Sequence, residues 1–291
     1  MDTAELVEKV RRLQILTEHL VSETLSGNYH SAFRGSGMEF DKVREYQVGD
    51  DVRNIDWNVT ARSGSPHIKS YVEEREMTVM LMVDGSSSVA VGSGGKTKQE
   101  LAGELSAVLA FSAVGNGDKV GLILFTDKVE LYLPPKKGKD HVLRIIREIL
   151  GYSPSRKATD LSGALDFLGR VQRRRSVTFL VSDFLDEAFS RQLSTVSSRH
   201  DLIAVKVGDQ REQSLPPVGL VRLEDAETGE QMIVDTGSSK GRELYRQHTQ
   251  SRQNELESEF KRRKIDAVSV ATHEDCLLPL RLLFKKREKK R

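Results

Sequence analysis

The chain has 291 residues, of which 37% are hydrophobic and 30% are charged, a composition typical of a globular protein. The formal net charge of +2 gives no bulk attraction to nucleic acid. The single cysteine, Cys276, excludes an internal disulfide, and the N-terminus lacks the apolar core of a secretory signal. A helix needs about 20 consecutive apolar residues to span a bilayer, and the chain contains no such run. The sequence therefore indicates a cytoplasmic protein.

The first predicted elements are a helix over residues 3–25, where leucines recur with helical spacing, and an irregular segment over residues 26–76. Glycines, turn dipeptides and charges crowd the irregular segment and predict short strands and loops. We expect Trp57, the only tryptophan, to be buried between this segment and the sheet that follows. Residues 1–75 are therefore treated as a region of their own.

From residue 78 onward, strands alternate with helices. The predicted strands are 78–83, 119–125, 128–133, 177–182, 201–207 and 265–271, with a hairpin over 220–234 that turns at Thr228 and Gly229. The predicted helices are 97–114, 139–150, 160–172, 186–198, 239–263 and 275–284. This alternation predicts an α/β domain over residues 76–284, with a doubly wound, mostly parallel sheet covered by helices on both faces. Residues 285–291 form a basic tail that we expect to be disordered.

Residues 83–98, VDGSSSVAVGSGGKTK, contain two overlapping signatures. One is a near match to the phosphate-binding loop G-x-x-x-x-G-K-[ST] that ends at Lys96 and Thr97. Together with Asp183 at the end of a later strand, it suggests a nucleotide hydrolase as an alternative function. Its first glycine is replaced by Ala90, however, and the preceding strand ends seven residues too early to wrap phosphates at a helix start. A surface loop is the better interpretation.

The other signature is D-x-S-x-S, formed by Asp84, Ser86 and Ser88. Asp84 directly follows an apolar strand, so its carboxylate belongs at the carboxyl end of the sheet, and the serine hydroxyls follow on the next turn. Mg²⁺ binds about six oxygens and usually retains waters. One carboxylate and two hydroxyls supply half of such a shell, and the remaining ligands must come from other strand ends.

Two further positions qualify for that rim. Thr159 precedes a predicted helix and offers a hydroxyl, and Asp183 ends the buried strand 177–182. A serine-rich turn alone is a weak signal, but the combination of three polar stretches at the same edge is strong. The chain has too few directly coordinating carboxylates for a two-metal nuclease.

This three-part pattern resembles the metal-ion-dependent adhesion site of von Willebrand factor type A domains. The separations of 75 residues between Asp84 and Thr159, and of 24 between Thr159 and Asp183, suit that family. The resemblance implies that Asp84, Ser86 and Ser88 bind Mg²⁺ or Mn²⁺, that Thr159 binds it directly or through water, and that Asp183 binds through water. It also implies an open coordination position for an aspartate or glutamate of a protein partner.

Upstream of the first sheet strand, the stretches GMEFDKVREYQVGDDVRNIDWNVTAR (37–62) and SYVEERE (70–76) resemble the family called domain of unknown function fifty-eight. Proteins of that family carry a von Willebrand factor A-like domain and are commonly associated with MoxR-type AAA+ ATPases. The resemblance implies a non-catalytic, metal-dependent interaction module that serves as an adaptor for such an ATPase in a chaperone-like assembly. We do not expect nucleic acid as a partner.

Overall fold

The apolar run that begins at residue 78 forms a central strand in a computed structural model of the chain. The structure describes residues 3–20, 29, 31–33, 39–72, 76–90, 92, 95–153, 158–186, 189–224 and 229–290. By their internal contacts the residues divide into two units. The larger contains residues 1–32 and 78–291, and the smaller contains residues 33–77.

The larger unit begins with helix α1 (Thr3–Leu20). Lys9 on this helix forms an ion pair with Glu100, with 2.6 Å between Nζ and Oε1. Farther along, the buried Tyr29 donates a hydrogen bond to Asp118 (2.9 Å). These contacts attach the N-terminal region to the sheet-bearing part of the larger unit. The last residues of the predicted helix, 21–25, lie outside the described part of the chain.

The smaller unit contains two antiparallel strands, β1 (Glu39–Glu45) and β2 (His67–Val72), with helix α2 (Trp57–Ser63) between them. A guanidinium–carboxylate pair braces the chain after β1, since Arg44 donates to both oxygens of Asp50 at 2.7 Å. The predicted short strands are present, and α2 is an addition that the sequence reasoning missed.

Trp57 corrects the prediction of a buried tryptophan. It is the first residue of α2 and is 70% exposed. Asp56 starts the helix by accepting hydrogen bonds from the N–H groups of Asn58 and Val59, and Gly64 ends it in the left-handed conformation (φ 77°). These capping signals were readable in the sequence, and the helix that they define turns Trp57 toward solvent.

The remaining elements belong to the larger unit. In chain order they are β3 (Thr78–Asp84), α3 (Lys98–Gly115), β4 (Lys119–Phe125), β5 (Val129–Lys136), α4 (Lys139–Gly151), α5 (Leu161–Val171), β6 (Val177–Ser182), α6 (Ser190–Arg199), β7 (Asp201–Gly208), α7 (Gln210–Gln213), β8 (Leu220–Glu224), β9 (Gln231–Asp235), α8 (Ser239–Arg262), β10 (Asp266–Ala271) and α9 (Leu277–Lys289). The hairpin predicted over 220–234 is present as the antiparallel pair β8–β9. Of its predicted turn, Gly229 has a φ of 73° and Thr228 lies outside the described residues.

Six strands form one sheet in the order β10-β7-β6-β3-β4-β5, and the strand pairs are parallel except for the edge pair β4–β5. The prediction of a doubly wound, mostly parallel sheet is therefore confirmed. Strand β3 lies in the middle, with β4 on one side and β6 on the other. Chain order reverses at this point, and in such folds the crevice at the reversal is where ligands bind.

Apolar side chains cover both faces of the sheet. On β3, Met80 and Met82 point to the same face and join a buried cluster that includes Leu165 of α5 and Leu193 of α6. The alternate residues of β3 are equally buried, and α3 packs on β3. Burial on both faces explains why this strand reads as one continuous apolar run.

The C-terminal helix corrects the prediction of a disordered tail over residues 285–291. Helix α9 extends to Lys289, and the side chain of Arg287 on it is nearly buried. Arg287 donates to Asp266 (2.9 Å) and forms a second ion pair with Asp201. The basic run is thus partly structural, because one of its members neutralises two carboxylates of neighbouring strands. None of the helices formed by the described residues has the length and apolarity needed to cross a bilayer.

Candidate metal centre at the sheet rim

Asp84 is the last residue of β3 and is 1% exposed. One carboxylate oxygen, Oδ1, accepts a hydrogen bond from the backbone N–H of Ser86 (2.9 Å), and Oδ2 accepts one from the hydroxyl of Ser182 (2.7 Å). Both donors are neutral. They fix the orientation of the carboxylate at the carboxyl end of the sheet without neutralising its charge.

The chain turns sharply after Asp84. The N–H of Gly85 donates to the carbonyl of Phe125 at the end of β4 (2.8 Å), and a Cβ at Gly85 would lie only 3.0 Å from ring atoms of Tyr152. A side chain at this position would require the ring of Tyr152 to move by a few tenths of an ångström, so glycine fits the tight turn best. The turn places Ser86 and Ser88 directly above the strand end.

Ser86 and Ser88 are both buried, and their Oγ atoms are 3.0 Å apart. Adjacent ligands of an octahedral Mg²⁺ with bonds of about 2.05 Å are separated by about 2.9 Å. The 3.0 Å between the two hydroxyl oxygens is the length of their mutual hydrogen bond, and it is also close to the spacing of neighbouring ligands on one ion. The structure brings them together with Asp84, to which Ser86 is already hydrogen-bonded.

Asp183 directly follows β6 and is 3% exposed. Its Oδ2 accepts a hydrogen bond from the ammonium of Lys98 (2.8 Å), whereas its buried Oδ1 has no hydrogen-bond partner within the described part of the chain. The next residue, Phe184, has a φ of 56°, a strained conformation for a bulky side chain that is typical of functional turns. Phe184 is held there by packing against Phe189 and Phe260.

Electrostatics couple the two aspartates. Burial, and then the negative charge of Asp183, raise the pKa of Asp84 from the ordinary value of 3.8 to about 7, although the hydrogen bonds from Ser182 and Ser86 act to lower it. A buried carboxylate beside another carboxylate is unfavourable unless a cation is present. This part of the rim therefore favours a positively charged ligand.

Thr159 lies on a neighbouring loop at the same rim. It precedes Asp160, which caps the N-terminus of α5 by accepting a hydrogen bond from Gly163 (2.8 Å). The backbone N–H of Asp160 donates to Thr126, just beyond the end of β4 (2.8 Å). The structure thus gathers Asp84, Ser86, Ser88 and Asp183 through hydrogen bonds and charge, and brings the loop of Thr159 alongside. That the hydroxyl of Thr159 completes the metal shell stays a prediction.

The donor set suits a hard cation. Among the described residues, no group of three histidine, cysteine or carboxylate side chains could hold a metal. The candidate centre instead combines two carboxylates with hydroxyl groups, an all-oxygen set that leaves positions for water as Mg²⁺ prefers. The unsatisfied Oδ1 of Asp183 and the raised pKa of Asp84 both fit a missing positive charge.

The residues of the nucleotide-binding alternative have other roles. Thr97 is the N-cap of α3, where it forms a capping box with Glu100, and Lys96 forms an ion pair with Glu104. Both side chains therefore contribute to the start of α3.

Three residues near the centre were missed as site residues by the sequence reasoning. Ser182 orients Asp84, Lys98 binds Asp183, and Glu212 on α7 shares the ammonium of Lys98. Lys98 gave one readable signal, because it lies three and seven residues before Leu101 and Leu105 and so belongs to the buried stripe of its helix.

Comparison with known proteins identifies the family. The chain belongs to the family described as Protein of unknown function DUF58, whose model matches residues 42–255, and the predicted family membership is confirmed. Uncharacterized protein Rv1480 of Mycobacterium tuberculosis (strain ATCC 25618 / H37Rv) is 34% identical over 232 residues, which cover 79% of this chain and 73% of that protein. Uncharacterized protein MAV169 of Mycobacterium avium is 36% identical over 100 residues, 33% of this chain and 59% of that one.

Solved structures show more distant likenesses. The conserved hypothetical protein BatB from Bacteroides thetaiotaomicron is 16% identical, with a TM-score of 0.46, over 73% of this chain and 99% of that one. The SpRpn10 VWA domain is 12% identical, with a TM-score of 0.39, over 72% of this chain and 95% of that one.

Proposed function

We propose that this protein is a non-catalytic interaction module that binds a carboxylate of a protein partner through a divalent cation at the sheet rim. One observation carries the proposal. Asp84 is buried beside Asp183 at the point where strand order reverses, and the hydroxyls of Ser86 and Ser88 stand at ligand spacing next to it.

In this proposal Asp84, Ser86, Ser88 and Thr159 hold Mg²⁺ or Mn²⁺, and Asp183 reaches the ion through water. The bound ion supplies a positive charge with an open coordination position. Because the residues around it include few anions, that charge remains available to an incoming aspartate or glutamate. The carboxylate of the partner then exchanges its hydration for a paired charge, which avoids the cost of burying it alone.

The charge of the centre makes the interaction depend on the metal. Asp84 and Asp183 are buried together, and among the described contacts Lys98 is the cation that pairs with Asp183. The nearby Glu130 is already paired with Lys128 (3.8 Å). Without a metal ion, the negative charge of the two aspartates disfavours a further carboxylate, because like charges brought together at an interface weaken binding. The ion would reverse the local preference, so that partner binding is lost when the ion is removed.

For the partner itself, the support is the family resemblance alone. It points to an AAA+ ATPase of the MoxR type, with this protein as a cytoplasmic adaptor in a chaperone-like assembly. The chemical requirement on the partner is narrower than the name, because it must present an exposed aspartate or glutamate to the rim.

Metal binding is tested first, by calorimetric titration of the purified protein with Mn²⁺ and Mg²⁺. Asp84→Ala should weaken Mn²⁺ binding by at least 100-fold, and Ser86→Ala by about tenfold. Ser87→Ala is the matched control, because Ser87 lies in the same turn outside the D-x-S-x-S pattern, and it should leave the affinity unchanged. Equal binding by the Asp84→Ala variant and the wild type would exclude this site.

Partner binding is tested with a purified MoxR-type ATPase from the same organism, captured on the immobilised protein. We expect capture with Mg²⁺, and loss of capture with a chelator or with Asp84→Ala. Equal capture in all three conditions would refute a metal bridge. No capture in any condition, beside normal Mn²⁺ binding, would reject the named partner while leaving the metal centre in place.

A further inference from the structure

Lys98 is fully buried, which is exceptional for lysine. It also occupies the first turn of α3, where the partial positive charge of the helix N-terminus disfavours a cation. Two unfavourable terms thus coincide at one side chain, whose ammonium lies beside the candidate metal centre.

The ammonium of Lys98 is shared by two carboxylates. It donates to Oδ2 of Asp183 (2.8 Å) and to Oε1 of Glu212. Both contacts are ion pairs, and the side chain of Lys98 is 1% exposed. Lys98 consequently offsets negative charge beside the centre.

Lys98 compensates the charge of only one of the two aspartates of the centre. It is bound to one oxygen of Asp183, whereas the hydrogen-bond donors on Asp84 that the structure describes are neutral, from Ser86 and Ser182. Oδ1 of Asp183 has no partner among the described residues, so Lys98 holds this carboxylate through Oδ2. Asp84, by contrast, has no cationic donor among the contacts that the structure describes.

We infer that Lys98 is an internal counter-ion that keeps Asp183 out of direct coordination, so that the divalent ion is held loosely and remains attractive to the carboxylate of the partner. The inference rests on the proposed metal-bridging function and specifies how that centre is regulated. A direct bond from Asp183 would add a second anionic ligand, tighten the hold on the ion and weaken its attraction for a third carboxylate. Lys98 thus lowers the affinity of the centre for the ion and raises the affinity of the bound ion for the partner.

Glu212 holds the other side of the ammonium. Its side chain is 41% exposed, and its Oε2 accepts a hydrogen bond from the N–H of Asp209 in the capping box of α7 (3.1 Å). Glu212 is thereby fixed in place. Replacing it with glutamine would leave Lys98 to Asp183 alone and remove one negative charge near the centre, so the affinity for the ion should fall.

The test compares Lys98→Met with Lys96→Met, which removes the same charge two residues away from a lysine that pairs with Glu104. Mn²⁺ serves as the probe, with its affinity measured by titration and its number of bound waters by proton relaxation. We expect Lys98→Met to bind Mn²⁺ at least tenfold more tightly and with one water fewer than the wild type. Lys96→Met should match the wild type in both.

Each result is decisive. If the wild type binds no Mn²⁺, the proposed function fails and this inference fails with it. If the wild type binds and Lys98→Met behaves as Lys96→Met does, or keeps the full number of waters, only the inference is overturned. Should Lys98→Met fail to fold, the Glu212→Gln variant is measured in its place. Mn²⁺ binding by Glu212→Gln at least threefold weaker than by the wild type supports the inference, and equal binding overturns it.

Discussion

Replacing Asp84 by asparagine should destabilise the folded protein at low pH and stabilise it at high pH. In the metal-free protein, the pKa of Asp84 is raised from 3.8 in an ordinary aspartate to about 7 in the folded state. A raised carboxyl pKa means that the folded protein binds more protons than the unfolded chain between these two values. Stability must therefore fall as the pH rises from about 4 to about 7.

The size of the effect follows from the same values. Since one pKa unit corresponds to about 1.4 kcal/mol, the charged form of Asp84 costs about 4 kcal/mol of folding free energy at pH 8. Asparagine removes that cost but loses an acceptor for Ser86 or Ser182, which costs about 1–2 kcal/mol. The variant should be less stable than the wild type at pH 4.5 and more stable by about 2–3 kcal/mol at pH 8.

Urea denaturation with a chelator present, at several pH values, measures this difference. The subtraction cancels the other titrating groups, which the two proteins share. Mg²⁺ at about 100 times its dissociation constant should then stabilise the wild type by about 2.7 kcal/mol at pH 8 and leave Asp84→Asn unchanged. A stability difference that does not vary with pH would show that Asp84 is not the buried, uncompensated charge described above.

Three other predictions concern the fold. Arg287→Ala should destabilise the protein by about 3 kcal/mol, because it leaves two carboxylates without their buried partner, whereas the exposed Lys289→Ala should stay within about 0.5 kcal/mol in the same denaturation assay. Gly121→Ala should cost about 1–3 kcal/mol, since its Cβ would lie 2.9 Å from the sulfur of Met80 and 3.0 Å from a carbonyl of β5; an unchanged midpoint would contradict this close packing. The fluorescence of Trp57 should be quenched readily by acrylamide in the folded state, and protection from the quencher would contradict its 70% exposure.

The sheet could be predicted from the sequence because its central strands are buried on both faces. Strands such as 119–125 and 177–182 are continuous apolar runs bounded by polar residues, and the structure places both with those limits. The placement of Asp84 and Asp183 at one rim could be predicted for the same reason, since each ends or directly follows such a run and parallel strands bring their carboxyl ends together. Local pattern and global position coincide at these residues.

The errors arose where long-range contacts decide the outcome. The basic run after residue 284 has the composition of a disordered tail, and only the carboxylates of β7 and β10 convert Arg287 into a buried residue. Lys98 likewise lies in a sequence, GKTK, that suggests phosphate binding. Its actual partners are 85 and 114 residues away, and no local pattern identifies them.

The unequal treatment of the two aspartates is the feature that stability alone does not explain. A buried ion-pair network is often no more stable than apolar residues of similar volume, and a buried carboxylate with only neutral donors is worse. The chain nevertheless places a lysine on Asp183 and leaves Asp84, next to it, with two neutral donors. Perturbed, uncompensated groups of this kind are concentrated at functional sites. A reversible cation at Asp84 would remove the cost whenever it is bound, and this is the physical basis for proposing a metal-dependent switch in partner binding.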